Sequence, residues 1–317
     1  MEGGGLNLRY GSRRDLFVVC LMVLACFACQ PAVRLPEALP PPRLERAAAA
    51  PTPSFDREVR PILERRCAVC HACYDAPCQL VLSSWEGAAR GASKEVVYHA
   101  SRLRVAAPTR LGIDARSVRA WRGKGFFPVL PETARAEDSV LLRMLALGAA
   151  RPPLEGEPLA PEFPLDIGRT LSCPKRSEVA AYELEHPTGG MPYGTAPLTS
   201  AELRVLTAWA SRGAEPPAPR SIPPSARVQV GEWESFLNDA SAKRRLVARY
   251  LFEHWFVGHL YFRDLPTGPF FRIVRSRTAP GEPIDEIATR RPYDDPGAPF
   301  WYRLRPCGAC SPHFVPA

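Results

Sequence analysis

Cys67-Ala68-Val69-Cys70-His71 narrows the possibilities for this chain more than any other run of residues in it. Two thiols three positions apart can reach the two vinyl groups along one edge of a haem. The histidine that follows can then turn back onto the iron. A redox dithiol does not require that histidine, and a zinc site needs a second ligand pair at suitable spacing. A structural disulfide is the remaining alternative. The motif therefore predicts one covalent haem c, with Cys67 and Cys70 as its anchors and His71 as the proximal iron ligand. A group attached in this way places the chain outside the cytoplasm.

The N-terminus agrees with export. Arg9, Arg13 and Arg14 precede an apolar run from Leu16 to Cys29, short for a bilayer span and suited to a signal-peptide core over residues 1–29. Ser12 to Phe17 is similar to a twin-arginine signal, but that route exports folded proteins and haem c is attached to an unfolded chain. The general secretory route is favoured. Val23-Leu24-Ala25-Cys26 fits a lipoprotein cleavage site, so Cys26 is a candidate lipid anchor in the periplasm; Cys29 fits less well. Residues 30–53, rich in Pro and Ala, read as a tether.

Ser54 to Arg66 has helical spacing, with Ser54 as N-cap and Pro61 awkward inside it. The second iron ligand should come from a loop ahead of a later helix. His186-Pro187-Thr188-Gly189-Gly190-Met191-Pro192 supplies one, and Thr199 or Ser200 caps the helix that ends near Gly213. That half resembles a class I cytochrome c, where a methionine before a proline binds iron. Met191 is thus the candidate distal ligand, with His186 and His99 as lesser ones. Its distance in sequence from His71 requires an inserted subdomain. Cys73, Cys78 and Cys173 leave the disulfide pairing open: Cys73 with Cys78, or either with Cys173.

Beyond the linker from Pro216 to Pro224, Ala240 to Phe262 reads as one long helix whose apolar positions include Leu246, Tyr250, Leu251, Val257 and Tyr261. Such a stripe is ordinarily core, although Trp255 and Phe256 also suit a lipid interface. His254 and His259 are poorly spaced to share a metal. Phe270 to Ser276 and Phe300 to Leu304 have strand character. The arginines from Arg275 to Arg291 read as a solvated loop, with phosphate binding as the alternative. The fold expected is mainly α: a cytochrome c-like haem domain with an insertion over residues 54–216, then a partial α+β domain over 217–317.

A formal charge of +8 and a sequence rich in arginine, with lysine only at Lys94, Lys124, Lys175 and Lys243, suits an anionic surface such as phospholipid. A general bias toward Arg, Ala and Pro also accounts for it. The arginines are not clustered with aromatics, so nucleic acid is not an expected partner.

Several longer runs go further. Arg66 to Leu80, including Cys73-Tyr74-Asp75-Ala76-Pro77-Cys78, resembles the haem segment of bacterial fatty acid cis/trans isomerases. Arg90 to Lys94, Thr109-Arg110-Leu111, Trp121 to Phe126, Asp239 to Phe262, Phe270 to Thr278 and Thr289 to Gly297 extend that resemblance from about Ser54 to Pro306. It implies a periplasmic enzyme that turns cis double bonds of phospholipid acyl chains to trans, stiffening the membrane under stress. It also implies dependence on the haem c maturation machinery. Family members are longer, and Cys307-Gly308-Ala309-Cys310-Ser311 departs from their pattern, so truncation is expected. An electron-transfer cytochrome and an inactive haem-binding fragment are the alternatives.

Overall fold

The computed structural model describes residues 51–307, apart from 74–75, 100–101, 133–134, 154–157, 167–170, 219–221 and 264–268. The signal over 1–29 with Cys26, all but the end of the tether, and Cys310 to His313 in the tail lie outside the described residues.

The chain enters its fold through a π-helical turn, Phe55–Val59, that leads into α1, Arg60–Arg66. Ser54 makes no side-chain cap; its backbone N–H donates to the Glu58 carboxylate instead, at 2.8 Å. Pro61 falls in the first turn of α1, where no intrahelical bond needs its missing N–H. Two short helices follow, α2 (Trp85–Arg90) and α3 (Val118–Gly123), with a hairpin of β1 (Tyr98–His99) and β2 (Arg102–Leu103) between them. Three more complete this part: α4 (Val140–Ala150), α5 (Val179–Glu185) and α6 (Ser200–Ser211). Thr199 caps α6 in a reciprocal box with Glu202, each side chain bonding the other's backbone N–H.

Phe55, Val59 and Leu63 meet Leu142 and Leu145 of α4 and Leu206 and Trp209 of α6 in one apolar core. Trp209 is completely buried there, and its indole N–H donates to the Glu215 carbonyl at 3.1 Å. A buried tryptophan needs such an acceptor, and Glu215 supplies it just past the helix.

A second core forms beyond Pro223. Helices α7 (Pro224–Leu237) and α8 (Ala242–His254) pack with an antiparallel pair, β3 (Phe270–Ser276) and β4 (Trp301–Cys307). Leu237, Phe252, Phe271, Ile273 and Leu304 form its centre. Glu234 ties α7 to β4: its carboxylate accepts from Arg303 Nε at 2.9 Å and from the Leu304 backbone at 2.8 Å.

The expected mainly α, cytochrome c-like fold is not what the chain adopts. Eight α-helices occur among the described residues, four of them no longer than seven residues, separated by long irregular stretches and accompanied by two separate two-stranded sheets. The architecture is mixed. Proline is one physical reason, since 36 of them interrupt helical hydrogen bonding throughout the sequence.

The long helix expected over Ala240 to Phe262 is also corrected. It stops at His254, because Leu260 leaves the helical path to exchange backbone hydrogen bonds with Phe271 on β3, at 2.7 and 2.8 Å. Nor is its apolar stripe all core. Ala248 and Phe252 face inward, while Leu246, Tyr250, Val257 and Tyr261 are exposed.

Candidate functional site

Cys67 terminates α1, and its own carbonyl then accepts from the N–H of Cys70 at 3.1 Å and of His71 at 2.9 Å. These bonds wind the motif into a tight turn that separates its members by environment. Cys67 is buried in the first core, Cys70 is exposed, and His71 is buried again. Burial, reinforced by the nearby Cys70 thiol, pushes the Cys67 pKa up to about 12. Activated redox thiols are shifted the other way, so Cys67 lacks the electrostatics of an attacking exchanger thiol.

His71 Nδ1 lies 3.1 Å from the Leu80 carbonyl oxygen. A carbonyl can only accept, so the proton sits on Nδ1 and Nε2 presents its lone pair. Burial lowers the His71 pKa, against the smaller effect of the Leu80 bond, and so favours the neutral ring. Neutral imidazole with Nδ1 held by a carbonyl is the arrangement that metal-binding histidines use. With two free thiols at the correct spacing, these residues fit a covalent haem.

Behind the motif, Cys78 is disulfide-bonded to Cys173, which selects one of the pairings left open by the sequence; Cys73 is free and exposed. Cys78 and Gln79 both have positive φ, 58° and 49°, although neither is glycine. Gln79 is buried and bonded by side chain to Thr109 Oγ1 at 3.0 Å and to the Glu95 carbonyl at 3.2 Å. Its carbonyl accepts from Arg90. Arg90 is itself buried between the rings of Trp121 and Phe126, and desolvation lowers its pKa to about 10. Sequence reasoning assigned Arg90 no role, and its only signal was an arginine near small residues and aromatics.

Met191 is half-buried against the same core that contains Cys67. Its backbone N–H donates to the Met144 carbonyl on α4 at 2.8 Å. Close approach to α4 depends on two glycines. A Cβ on Gly148 would lie 2.3 Å from the Met191 oxygen, and one on Gly190 would lie 2.0 Å from Gly148 nitrogen. His186 is exposed and tilted against Tyr182, outside this core. The side chain of His99 lies outside the described residues. His254 stacks on Tyr250 and pairs through Nδ1 with that residue's carbonyl oxygen.

A second polar region lies along β3, where Arg110, Arg272, Arg275, Glu286 and Thr289 line a cleft with Phe252 and Phe256. The solvated loop expected there is corrected at its first residue, since Arg275 is 5% exposed.

The family model described as fatty acid cis/trans isomerase (CTI) matches residues 106–310. This chain belongs to the fatty acid cis/trans isomerase family. The span shared with the isomerases contains Met191 and the whole cleft along β3, and begins after the Cys67–His71 turn. No curated protein and no solved structure matches the chain.

Proposed function

We propose that the chain isomerises cis double bonds in phospholipid acyl chains to trans, with a haem c held by Cys67, Cys70 and His71. The observation that carries the haem assignment is the Leu80 carbonyl on His71 Nδ1, which frees Nε2 beside two unpaired thiols. When bound, the haem supplies an electron acceptor and donor that weakens the π bond for rotation without net oxidation. The protein's own part is positional. Leu80 fixes the His71 ring, the core buries Cys67, and the Cys78–Cys173 bond braces the segment between them.

Met191, held on α4, is our candidate for the distal side of the haem. A sulfur bound there would compete with an alkene for the same position, so either that ligation would be labile, or the alkene would be reached at the haem edge, or Met191 would not be a ligand. The disulfide supports export to the periplasm, where such bonds persist, and a lipid anchor at Cys26 would keep the enzyme near its substrate. Trans chains pack more closely than cis, which gives the reaction its use under solvent or heat stress.

The test is the trans/cis ratio of phospholipid fatty acids after solvent shock, in a host without its own isomerase but able to mature haem c. Haem staining confirms loading of the wild-type chain. Trans acids are expected with the wild type and not with His71→Ala. Their absence from a haem-loaded wild-type chain would refute the proposal.

A further inference from the structure

Each carbonyl from Cys78 to Leu80 accepts from a donor elsewhere in the chain. The Ser93 N–H donates to the Cys78 oxygen at 2.8 Å, Arg90 Nη2 to the Gln79 oxygen, and His71 Nδ1–H to the Leu80 oxygen at 3.1 Å. The Leu82 N–H returns to the His71 carbonyl at 2.7 Å, so His71 is held to this segment by its ring and by its backbone. The direction of the Leu80 carbonyl, and with it the His71 ring, therefore depends on how the peptide before it is fixed.

That peptide needs fixing. Cys78 and Gln79 both lie in the left-handed region, at φ 58° and 49°, which a residue with a Cβ avoids unless its surroundings enforce it. Thr109 and Glu95 hold the Gln79 side chain, and helix α2 holds its carbonyl. Gly87 and Arg90 lie three positions apart on α2 and so share a face. At Gly87 the helix comes so close that a Cβ would lie 2.3 Å from the Val81 oxygen, and one turn later Arg90 reaches the Gln79 oxygen.

Arg90 is itself held at several points. Its Nη1 donates to the Thr109 carbonyl at 2.7 Å, and its own carbonyl accepts from Arg122 Nη1 at 2.7 Å. Its guanidinium carbon lies 5.4 Å from the Trp121 ring centroid and 4.6 Å from that of Phe126. The fork thus bridges Thr109, inside the span shared with the isomerases, and Gln79, in the segment that holds His71. Among the described residues its side chain bonds only to carbonyls, and its Nε is buried with no partner. Guanidinium keeps its charge under such burial. A hydrocarbon side chain would pack between the two rings without the cost of desolvating a cation. The charged fork is therefore explained by what it holds, two carbonyls from separate segments at once.

We propose that Arg90 is a positioning residue of the haem site: by fixing the Gln79 peptide, it aims the Leu80 carbonyl at His71 Nδ1–H. The inference rests on the haem reading of Cys67, Cys70 and His71. A histidine whose far nitrogen donates to a carbonyl is fixed in orientation and is a more basic ligand. A more basic ligand favours the oxidised iron, so the aim of the Leu80 carbonyl sets the balance between oxidation states. That balance bears directly on the electron-accepting part assigned to the haem.

The test compares the full haem-loaded chain with Arg90→Lys, which keeps the charge and loses the planar fork. With charge held constant, a change in redox behaviour reports the geometry of the Leu80–His71 bond. In a spectroelectrochemical titration, the ratio of reduced to oxidised haem at a fixed applied potential should rise about fivefold, the equivalent of one ordinary hydrogen bond. A merely structural arginine would lower the urea midpoint and leave this ratio where it was; that result in a folded, loaded variant would overturn the proposal. If Arg90→Lys does not fold, Phe126→Leu serves, since it removes one wall of the guanidinium and leaves its donors. It should move the ratio in the same direction by less, and no movement would again count against the proposal. A wild-type chain that takes up no haem refutes the haem reading instead. Positioning is then read in the unloaded chains from the ring-nitrogen NMR shifts of His71. The wild type should show the Nδ1–H tautomer and Arg90→Lys a mixture; one tautomer ratio common to both would overturn the proposal.

Discussion

At Glu202 one carboxylate accepts from Arg65 at 3.2 Å, from Arg66 at 2.9 to 3.2 Å, and from the backbone N–H of Thr199 at 2.9 Å. It thereby clamps the end of α1, just before Cys67, to the start of α6. The Arg66 bonds, with smaller help from Thr199, hold its pKa down to about 2. A depressed carboxylate pKa stabilises the fold above the unfolded value, and that stabilisation is lost as pH falls toward about 2. Glu202→Gln should cost about 2 kcal/mol near neutrality. In urea melts, the gap from wild type should close progressively below about pH 4. A gap that stays constant with pH would show that the clamp is not electrostatic. Thr199 was readable as one of two cap candidates beside Ser200, and its Glu202 partner was not singled out. The two arginines were not, since they come from a distant helix and sequence spacing carries no trace of that meeting.

Among elements, the boundary between α4 and the Met191 loop depends on the absence of side chains. Gly148→Ala would drive a Cβ into the Met191 carbonyl, a backbone atom that cannot swing aside. The expected cost is about 1–3 kcal/mol, read as a lower melting temperature, and an unchanged melt would mean the loop is free to lift. The α7–β4 junction is held by polar bonds instead. Glu234 and Arg303 are both buried, and Glu234 also answers the Leu304 N–H. Glu234→Ala leaves Arg303 and that N–H without a carboxylate, which should cost about 3–5 kcal/mol. A chemical-denaturation difference below about 1 kcal/mol would contradict the pair's importance. Strands β3 and β4 could be read from their short-strand character, although the second runs on to Cys307 rather than ending at Leu304. Helix α7 was passed over, because its first residues follow a run of prolines and its key inward residue is a glutamate, which a hydrophobic pattern does not register. In α8 the periodicity was genuine but ambiguous: Leu246 and Tyr250 continue the apolar spacing on the side away from Phe252, so counting apolar positions overestimated the core.

At the scale of the whole molecule, the disulfide between Cys78 and Cys173 joins residues separated by 95 positions. That loop encloses α2, α3, α4, the β1–β2 hairpin and much irregular chain. Closing so long a loop removes freedom chiefly from the unfolded ensemble, which matters most where short helices and irregular backbone give little local stability of their own. The sequence supplied three cysteines and the expectation of an oxidising compartment, but the choice among them depended on where the stretch before Cys173 returns to the Cys67–Leu80 segment, which only the folded chain specifies. The double variant Cys78→Ser/Cys173→Ser should unfold about 2–5 kcal/mol more easily than the wild type. The reductant tris(carboxyethyl)phosphine should lower the wild-type melting temperature toward that of the variant and leave the variant unchanged. The Leu80 carbonyl that orients His71 lies two residues from Cys78, so loosening the bond should also reduce the fraction of chains carrying haem, measured by in-gel haem stain against total protein. Full stability and full haem loading without the bond would place the strength of this segment in the Gln79, Thr109 and Arg90 contacts alone. Loss of both would make oxidation of Cys78 and Cys173 a condition for building the segment proposed to hold haem.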